Sequence, residues 1–211
     1  MRKFLYSAAA IALAAGIGLS IGPTAEAGKS KALKLGTEAP VADFEMKDTK
    51  GVMHTLASVQ GKQGTLVIFS CNSCPWAVKW EGRVAKIGNE YQDKGFGVVV
   101  INSNDPERVS EDGFDEMVTR AKTLAYEFPY LADPTSRVAR AFGASRTPEV
   151  FLFDANGKLA YRGAIDDNAS DANAVESAYL KNALNALIAG KTISTTKTKA
   201  LGCGIKYSSE S

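Results

Sequence analysis

The sequence of 211 residues predicts one α/β domain, built as layers of helices around a central mixed β-sheet. Three observations favour this fold class. Continuous apolar runs at "TLVIFS" (65–70) and "FGVVVINS" (96–103) are typical of strands that are buried on both faces. Segments with a helical apolar period alternate with such runs, as in a parallel α/β sheet. A closing strand–turn–strand–helix order over 149–190 adds an antiparallel part to the sheet.

The first half of the chain is expected to contain three strands and one long helix. Before the two apolar runs, "VADFEM" (41–46) alternates apolar and polar residues, as a half-buried strand does. After the first run, a helix should begin near Cys74, because Pro75 suits a first helical turn, where its missing N–H costs nothing. Gly95 ends this helix. Its apolar stripe recurs at offsets of four, three and four residues: Trp80, Val84, Ile87 and Tyr91.

The second half of the chain consists of shorter segments. We expect helices at 110–128, 134–143 and 173–190, an extended segment at 129–133, and strands at 149–154 and 159–163 joined by the turn "ANGK". Residues 191–211 have no helical period. We therefore predict a domain at 36–190 and a C-terminal arm at 191–211, which is either disordered or held on the domain by a few contacts.

Composition excludes several classes of protein. Hydrophobic residues make up 45% of the chain and charged residues 23%, which is ordinary for a globular protein. The formal net charge is +2 and there is no basic block, so we predict no nucleic-acid partner. Three cysteines are too few for a small domain held together by disulfides.

The N-terminus has the order of a secretory signal peptide, predicted at 1–27. "MRK" is followed by an uncharged segment at 4–22, and Ala25 and Ala27 then frame an A-x-A cleavage site. The alternative is an uncleaved membrane anchor, since the run is nearly long enough to span a bilayer. Cleavage predicts an exported protein, periplasmic or otherwise extracytoplasmic, without stable membrane insertion and in a compartment that permits disulfides.

The segment "SCNSCPWAVKW" (70–80) carries the chemistry that we expect of this chain. Cys71 and Cys74 are two residues apart, between a buried strand and a helix. Unpaired N–H groups and the helix dipole stabilise a thiolate there, so we predict Cys71 as the nucleophile and Cys74 as the resolving thiol. One alternative is a zinc site with His54 and Cys203, whose ligands do not have the usual paired spacing. The other is a structural disulfide, which would stabilise little across so short a loop.

Two features of this chain resemble the thioredoxin fold. A strand leads into the dithiol and its helix, and "TP" (147–148) precedes an apolar strand–turn–strand. The chain is similar in particular to the redoxin or peroxiredoxin-like branch, the alkyl hydroperoxide reductase/thiol-specific antioxidant superfamily. The stretches that carry the resemblance lie between about residues 36 and 207: "CNSCPW", "VVVINSNDP", "FPYLAD", "AFGASRTPEVFLFDANGKLAYRGAIDDN" and "LGCGIKY". The resemblance implies a thioredoxin-like three-layer sandwich, a central mixed β-sheet with helices on both faces.

The resemblance also implies roles for residues around the dithiol. Pro148 would be cis and face the cysteines, and Thr147 would offer its backbone to the substrate. An X-Pro bond at a strand entry is by itself a candidate for the cis isomer. Arg146 would either stand near the thiolate, as an arginine does in peroxiredoxins, or be a solvated loop charge. Trp76 would form an apolar rim for partners.

Two departures from the family pattern bear on the activity. Asn72 and Ser73 stand between the cysteines, where thioredoxin has glycine and proline. The threonine of the peroxiredoxin pattern P-x-x-x-T-x-x-C is missing, since Ile68 lies three residues before Cys71 and Cys71 lies three before Cys74. The dithiol therefore favours disulfide exchange over peroxide reduction.

Cys203 is the odd cysteine of the chain and lies between two glycines, which allow a sharp backbone turn. It either resolves a disulfide with Cys71 or Cys74, or is a thiol without function.

The predicted function is an exported thiol–disulfide oxidoreductase that acts on protein thiols and disulfides, without a cofactor or a metal. The alternatives are a thiol peroxidase that reduces hydroperoxides through a sulfenic acid, and a binding module with an inert dithiol. An inert cysteine would keep a pKa near the ordinary value of about 8.5.

Overall fold

A mixed sheet of seven strands forms the middle layer of the computed structural model, which describes Met1 and residues 32–209. Apart from Met1, the expected signal peptide at 1–27 lies outside the described residues. The strands of this sheet are β1 (Met46–Asp48), β2 (Met53–His54), β3 (Gly64–Ser70), β4 (Phe96–Asn102), β5 (Tyr130–Ala132), β7 (Glu149–Asp154) and β8 (Leu159–Gly163). Strands β6 (Arg146–Thr147) and β9 (Cys203–Gly204) form a separate two-stranded sheet. The helices are α1 (Pro75–Asp93), α2 (Phe114–Thr123), α3 (Arg137–Phe142) and α4 (Tyr179–Ile188).

The strand order in the sheet is β2-β1-β5-β4-β3-β7-β8. Strands β3, β4 and β5 are parallel, with Ser70 opposite Asn102 at the ends of β3 and β4. β7 runs antiparallel to β3, and β8 antiparallel to β7. β1 is antiparallel to β5 on the other side. The predicted mixed sheet is therefore confirmed, and the carboxyl ends of its parallel strands meet at one edge.

Two apolar clusters cover the two faces of the sheet. Alternate residues of β3 point to opposite faces, so Leu66 and Ile68 join one cluster while Val67 and Phe69 join the other. The first cluster contains buried residues of α1, α2 and α4: Trp80, Val84, Tyr91, Met117, Ala121, Leu180 and Leu184. The second contains Val138, Ala139 and Phe142 of α3. Helices thus pack on both faces, which confirms the predicted three-layer sandwich.

The strand expected at 41–46 is wrong except for its last residue. Residues 40–43 form a turn, in which Val41 has a left-handed backbone with φ of 47°. Phe44 N–H donates to the Val41 carbonyl at 3.0 Å. This local hydrogen bond replaces the ladder that the alternating pattern predicted.

Three predicted helices are shorter than expected. The helix expected at 134–143 covers only Arg137–Phe142, and the other two differ more. The segment 110–128 begins as a 3-10 turn at Ser110–Asp112, and α2 ends where Ala125 has a left-handed backbone with φ of 51°. In the segment 173–190, the Asp167 carboxylate accepts hydrogen bonds from the N–H groups of Glu176 and Ser177. These bonds hold that part of the chain outside the helix, so α4 begins only at Tyr179.

Within residues 32–209, no helix is both long enough and apolar enough to cross a bilayer.

Candidate active site

The two cysteines of the CxxC lie where β3 ends and α1 begins. Cys71 directly follows β3, and Cys74 is the N-cap of α1, with Pro75 as the first helical residue. Both thiols are buried, with 5% of Cys71 and 3% of Cys74 exposed. Since the helix begins after Cys74, its unpaired N–H groups surround Cys74 more closely than Cys71.

Thr147 contacts both sulfurs from the neighbouring strand. The Thr147–Pro148 peptide bond is cis, as expected. Thr147 Oγ1 lies 3.1 Å from Cys71 Sγ, and the Thr147 carbonyl oxygen lies 3.2 Å from Cys74 Sγ. The structure therefore places Thr147 against the dithiol, with Pro148 next to it in the chain.

Cys203 reaches the same place from the far end of the chain. Strand β9 pairs antiparallel with β6, with Cys203 opposite Thr147. The Cys203 N–H donates to Cys74 Sγ at 3.4 Å, and the Trp76 N–H donates to the Cys203 sulfur. Cys71, Cys74 and Ala77 form one buried cluster, and the half-buried Cys203 packs against it. All three cysteines of the chain meet at the N-terminus of α1.

The electrostatics of the pair places the thiolate on Cys74. The pKa of Cys74 is lowered to about 4, chiefly by a hydrogen bond from the Cys71 thiol, with smaller contributions from the Cys203 thiol and the N–H groups of Ala77 and Cys203, and burial opposes them. The same hydrogen bond raises the pKa of Cys71, as do burial and the nearby Asp112 carboxylate. The hydrogen bond between the two thiols thus favours the thiolate on Cys74 and the proton on Cys71.

The sequence predicts that Cys71 is the nucleophilic thiolate, and this assignment stays a prediction. The lowered pKa is that of Cys74, chiefly through the hydrogen bond with the Cys71 thiol. The helix itself begins where it was expected, with Cys74 as its N-cap and Pro75 as its first residue. The Thr147 carbonyl instead favours the protonated form of Cys74, since at 3.2 Å it accepts a hydrogen bond only from the thiol and not from the thiolate. Against this single acceptor stand several donors to Cys74, namely the Cys71 and Cys203 thiols and two backbone N–H groups, so the net effect is a lowered pKa of Cys74. Burial does not distinguish the two sulfurs, because their exposures are almost equal.

Asp112 is a site residue that the sequence did not reveal. Its buried carboxylate accepts hydrogen bonds from Asn72 N–H at 2.6 Å and from the Ser73 hydroxyl at 2.7 Å. The side chains of Asn102 and Asn104, at the end of β4, donate to it at 3.1 and 2.7 Å. Asp112 therefore fixes the two residues between the cysteines. Polar residues directly after a buried strand, "NSND" (102–105), are the signal that points to this network.

Tyr130 and Arg120 complete the support of the dithiol loop. The Tyr130 hydroxyl donates to Asn72 Oδ1 at 2.9 Å, and burial raises the pKa of Tyr130, so it keeps the proton that it donates. Arg120 donates to the Asn72 carbonyl at 3.2 Å and pairs with Glu81. The loop is thus held by both its side chains and its backbone.

The remaining predicted residues take other positions. Arg146 is exposed and donates to the Gly202 carbonyl at 3.1 Å, so it holds the C-terminal arm. Trp76 is 39% exposed beside Cys203, and Leu201, two residues before Cys203, is 42% exposed. His54 lies on β2 at the edge of the sheet and contacts Asp48 Oδ2 at 3.1 Å. Within the described part of the chain, no group of three or more His, Cys, Asp or Glu is arranged to hold a metal ion.

Three comparisons relate this fold to known proteins. Two solved structures are similar over most of the chain. A hypothetical protein from Sinorhizobium meliloti 1021 is 36% identical, with a TM-score of 0.78 over 85% of this chain and 98% of that one. An uncharacterized conserved protein from Geobacillus kaustophilus is 34% identical, with a TM-score of 0.79 over 84% and 94%.

A curated relative is the thiol-disulfide oxidoreductase ResA of Halalkalibacterium halodurans, which is 24% identical over 117 residues. The match covers 56% of this chain and 62% of the length of that protein. The sequence pattern of the AhpC/TSA family matches residues 35–162, from before β1 to the last residues of β8. The fold is thioredoxin-like, and the chain belongs to the AhpC/TSA family.

Proposed function

We propose that this protein is an exported thiol–disulfide oxidoreductase that exchanges disulfides with protein partners. The observation that carries the proposal is the buried Cys71–Cys74 pair at the N-terminus of α1, with Thr147 in contact with both sulfurs. A thiolate that persists far below the ordinary thiol pKa of about 8.5 is the species that attacks disulfides. Membership of the AhpC/TSA family and the similarity to ResA support an oxidoreductase. The signal-like segment at 1–27 supports export.

We assign the attack to Cys74, whereas the sequence predicts Cys71 in this role. The Cys74 thiolate attacks one sulfur of a partner disulfide, the partner's S–S bond breaks, and its second sulfur leaves as a thiolate that takes a proton from water. Cys71 then attacks Cys74 Sγ and gives up its proton, and the first partner sulfur leaves and takes that proton. The partner gains two electrons, and the chain holds a Cys71–Cys74 disulfide. Under oxidising conditions the same steps run in reverse.

Several neighbours would guide a partner to the pair. The exposed side chains of Trp76 and Leu201 offer apolar contacts beside the dithiol. Thr147 would position the reacting sulfurs through its hydroxyl and carbonyl groups, with Pro148 fixing the backbone next to it. Arg146 would act indirectly, through its hydrogen bond to the arm.

Trapping experiments test the assignment. Purified mature protein should reduce the disulfides of insulin, and Cys74→Ser should lose this turnover. Cys71→Ser combined with Cys203→Ser should accumulate a mixed disulfide at Cys74, because neither neighbouring thiol is left to resolve it. A mixed disulfide trapped at Cys71 in Cys74→Ser, with none in the double variant, would instead restore the order that the sequence predicts. Full turnover in both variants would contradict the proposal itself.

A thiol peroxidase is the second candidate, favoured by the low pKa of Cys74 at a helix N-terminus. In this reaction the thiolate attacks a hydroperoxide oxygen, the O–O bond breaks to release an alcohol or water, and a sulfenic acid remains. Cys71 then condenses with the sulfenic acid and releases water. Consumption of hydrogen peroxide in the presence of dithiothreitol, measured beside insulin reduction, decides between the two activities.

A further inference from the structure

The C-terminal arm brings a third thiol to the CxxC, and we infer that Cys203 exchanges with the Cys71–Cys74 disulfide to form an alternative Cys74–Cys203 disulfide. Cys74 then takes part in either of two alternative disulfides, one with Cys71 and one with Cys203. The inference rests on the proposed function, since it begins from the oxidised dithiol. It assigns Cys203 to Cys74 and not to Cys71.

The contacts of Cys203 select Cys74 as its partner. The Cys203 N–H donates to Cys74 Sγ at 3.4 Å, and the Cys203 side chain packs against the cluster of Cys71, Cys74 and Ala77. The contacts of Cys71 are with Cys74 and Thr147. Disulfide formation needs Cα atoms within about 7 Å and Cβ atoms that face each other. The backbone nitrogen of Cys203 lies 3.4 Å from Cys74 Sγ, so the two residues are direct neighbours at the site.

The arm is fixed on both sides of Cys203. Before it, the Gly202 carbonyl accepts from Arg146 at 3.1 Å. After it, Ile205 is buried, and its N–H donates to the Ser145 carbonyl at 3.1 Å. Lys206 N–H donates to Asn104 Oδ1 at 2.8 Å, beside the Asp112 network. Cys203 is thus held at the dithiol by pairing on both sides, and no large movement is needed for the exchange.

The exchange is balanced within the chain. The Cys203 thiol gives its proton to water, and its thiolate attacks Cys74 Sγ of the Cys71–Cys74 disulfide. The Cys74–Cys203 bond forms, the Cys71–Cys74 bond breaks, and Cys71 leaves as a thiolate that takes up a proton. No oxidant or reductant is consumed. Burial and the nearby Asp112 carboxylate, which both raise the pKa of Cys71, favour its ending as the protonated thiol.

The first test uses the wild-type chain in glutathione buffers of graded potential, with acid quenching, alkylation of free thiols and peptide mass spectrometry. We expect both the Cys71–Cys74 and the Cys74–Cys203 disulfides. Their ratio should stay constant across the potentials, because the exchange transfers no electrons to the buffer. A Cys203 that is alkylated at every potential while the Cys71–Cys74 disulfide forms would overturn this inference and leave the proposed function standing. Absence of both disulfides would count against the proposed function as well.

Two glycine variants test the role of the arm without touching a cysteine. A Cβ on Gly202 would lie 2.2 Å from the Thr147 carbonyl oxygen, so Gly202→Ala must push β9 away from β6. A Cβ on Gly204 would meet only the Ser145 carbonyl oxygen, at 4.0 Å, so Gly204→Ala is the matched control. Gly202→Ala should lower the share of the Cys74–Cys203 disulfide several-fold, and Gly204→Ala should leave it as in wild type. Equal shares in the two variants would contradict the inference.

Cysteine variants identify the shared sulfur. Oxidised Cys71→Ser should contain a Cys74–Cys203 disulfide within one chain, and Cys203→Ser a Cys71–Cys74 disulfide. In Cys74→Ser, Cys71 and Cys203 should be recovered free or bound to glutathione. A Cys71–Cys203 disulfide formed there as fast as the Cys74–Cys203 disulfide in Cys71→Ser would overturn the assignment to Cys74. Circular dichroism of each variant establishes that it is folded. The ratio of the two disulfides in the wild-type chain tests the inference even where a variant fails to fold.

Discussion

At the scale of single residues, Cys74 is the point where the hydrogen bonds of the site converge. The largest contribution to its lowered pKa is the hydrogen bond from Cys71, and the contribution of the Cys203 thiol is smaller. This order means that the pKa of Cys74 depends more on Cys71 than on Cys203 of the C-terminal arm. A thiolate of this kind is set by specific donors more than by the helix dipole alone.

Replacing Cys71 with alanine should raise the pKa of Cys74 above about 4, because the main donor to its thiolate is removed. In wild type the ultraviolet absorbance of the thiolate should persist down to about pH 4 and disappear as the pH falls through that value. In Cys71→Ala it should disappear at a higher pH. Cys203→Ala, which removes the weaker donor, is the control and should show a smaller rise. A larger rise in the control would contradict the order of the two donors.

At the scale of elements, α1 contains two glycines in opposite environments. A Cβ on the exposed Gly82 would meet nothing within 4 Å, while a Cβ on the buried Gly88 would lie 2.1 Å from Cε1 of Phe128. The Phe128 ring is itself buried and cannot move freely. One helix therefore offers a matched pair of sites for the same substitution.

We expect Gly82→Ala to stabilise the protein by about 0.5–1 kcal/mol, since alanine loses less backbone entropy in a helix. Gly88→Ala should destabilise it by about 1–3 kcal/mol through overpacking against Phe128. Urea unfolding of the two variants and wild type measures both values. A loss of stability in Gly82→Ala, or none in Gly88→Ala, would show that the packing of α1 differs from that described.

The elements that the sequence predicted well are those with a strong local pattern. The buried runs at β3, β4 and β7 and the apolar stripe of α1 need no knowledge of distant residues. By contrast, β6 and β9 have two residues each and no period, and they become strands only by pairing with one another. The cysteines could be named from spacing alone. Asp112 could not, because it lies 40 residues from Asn72 and its role depends on where the sheet places both.

At the scale of the whole molecule, the parallel arrangement of β3 and β4 assembles the site. With Ser70 opposite Asn102, the residues that follow both strands emerge at the same edge of the sheet. Asp112 lies in the segment that leads into α2, and its carboxylate accepts hydrogen bonds from the segments that follow β3 and end β4. A single buried carboxylate thus ties three distant parts of the sequence around the dithiol.

We expect Asp112→Asn to lower the free energy of unfolding by about 1–3 kcal/mol, because an amide cannot accept all the hydrogen bonds that the carboxylate receives. The pKa of Cys71 should fall as well, since a negative charge beside it is removed. Asp115→Asn, at an exposed position in the first turn of α2, is the control and should cost less than about 1 kcal/mol. Urea unfolding and thiol titration measure the two effects, and equal losses in both variants would contradict a special role for Asp112.

The docking of β9 on β6 has a consequence for the time course of biosynthesis. Cys203 follows Cys74 by 129 positions in the sequence. At ordinary rates of translation, the ribosome adds that many residues on the order of ten seconds after it has made the CxxC. A nascent chain therefore carries its two reactive cysteines before the segment that covers them exists. Any oxidant or thiol enzyme that meets the growing chain encounters the uncovered pair, and the three-thiol site is completed only after β9 has been added.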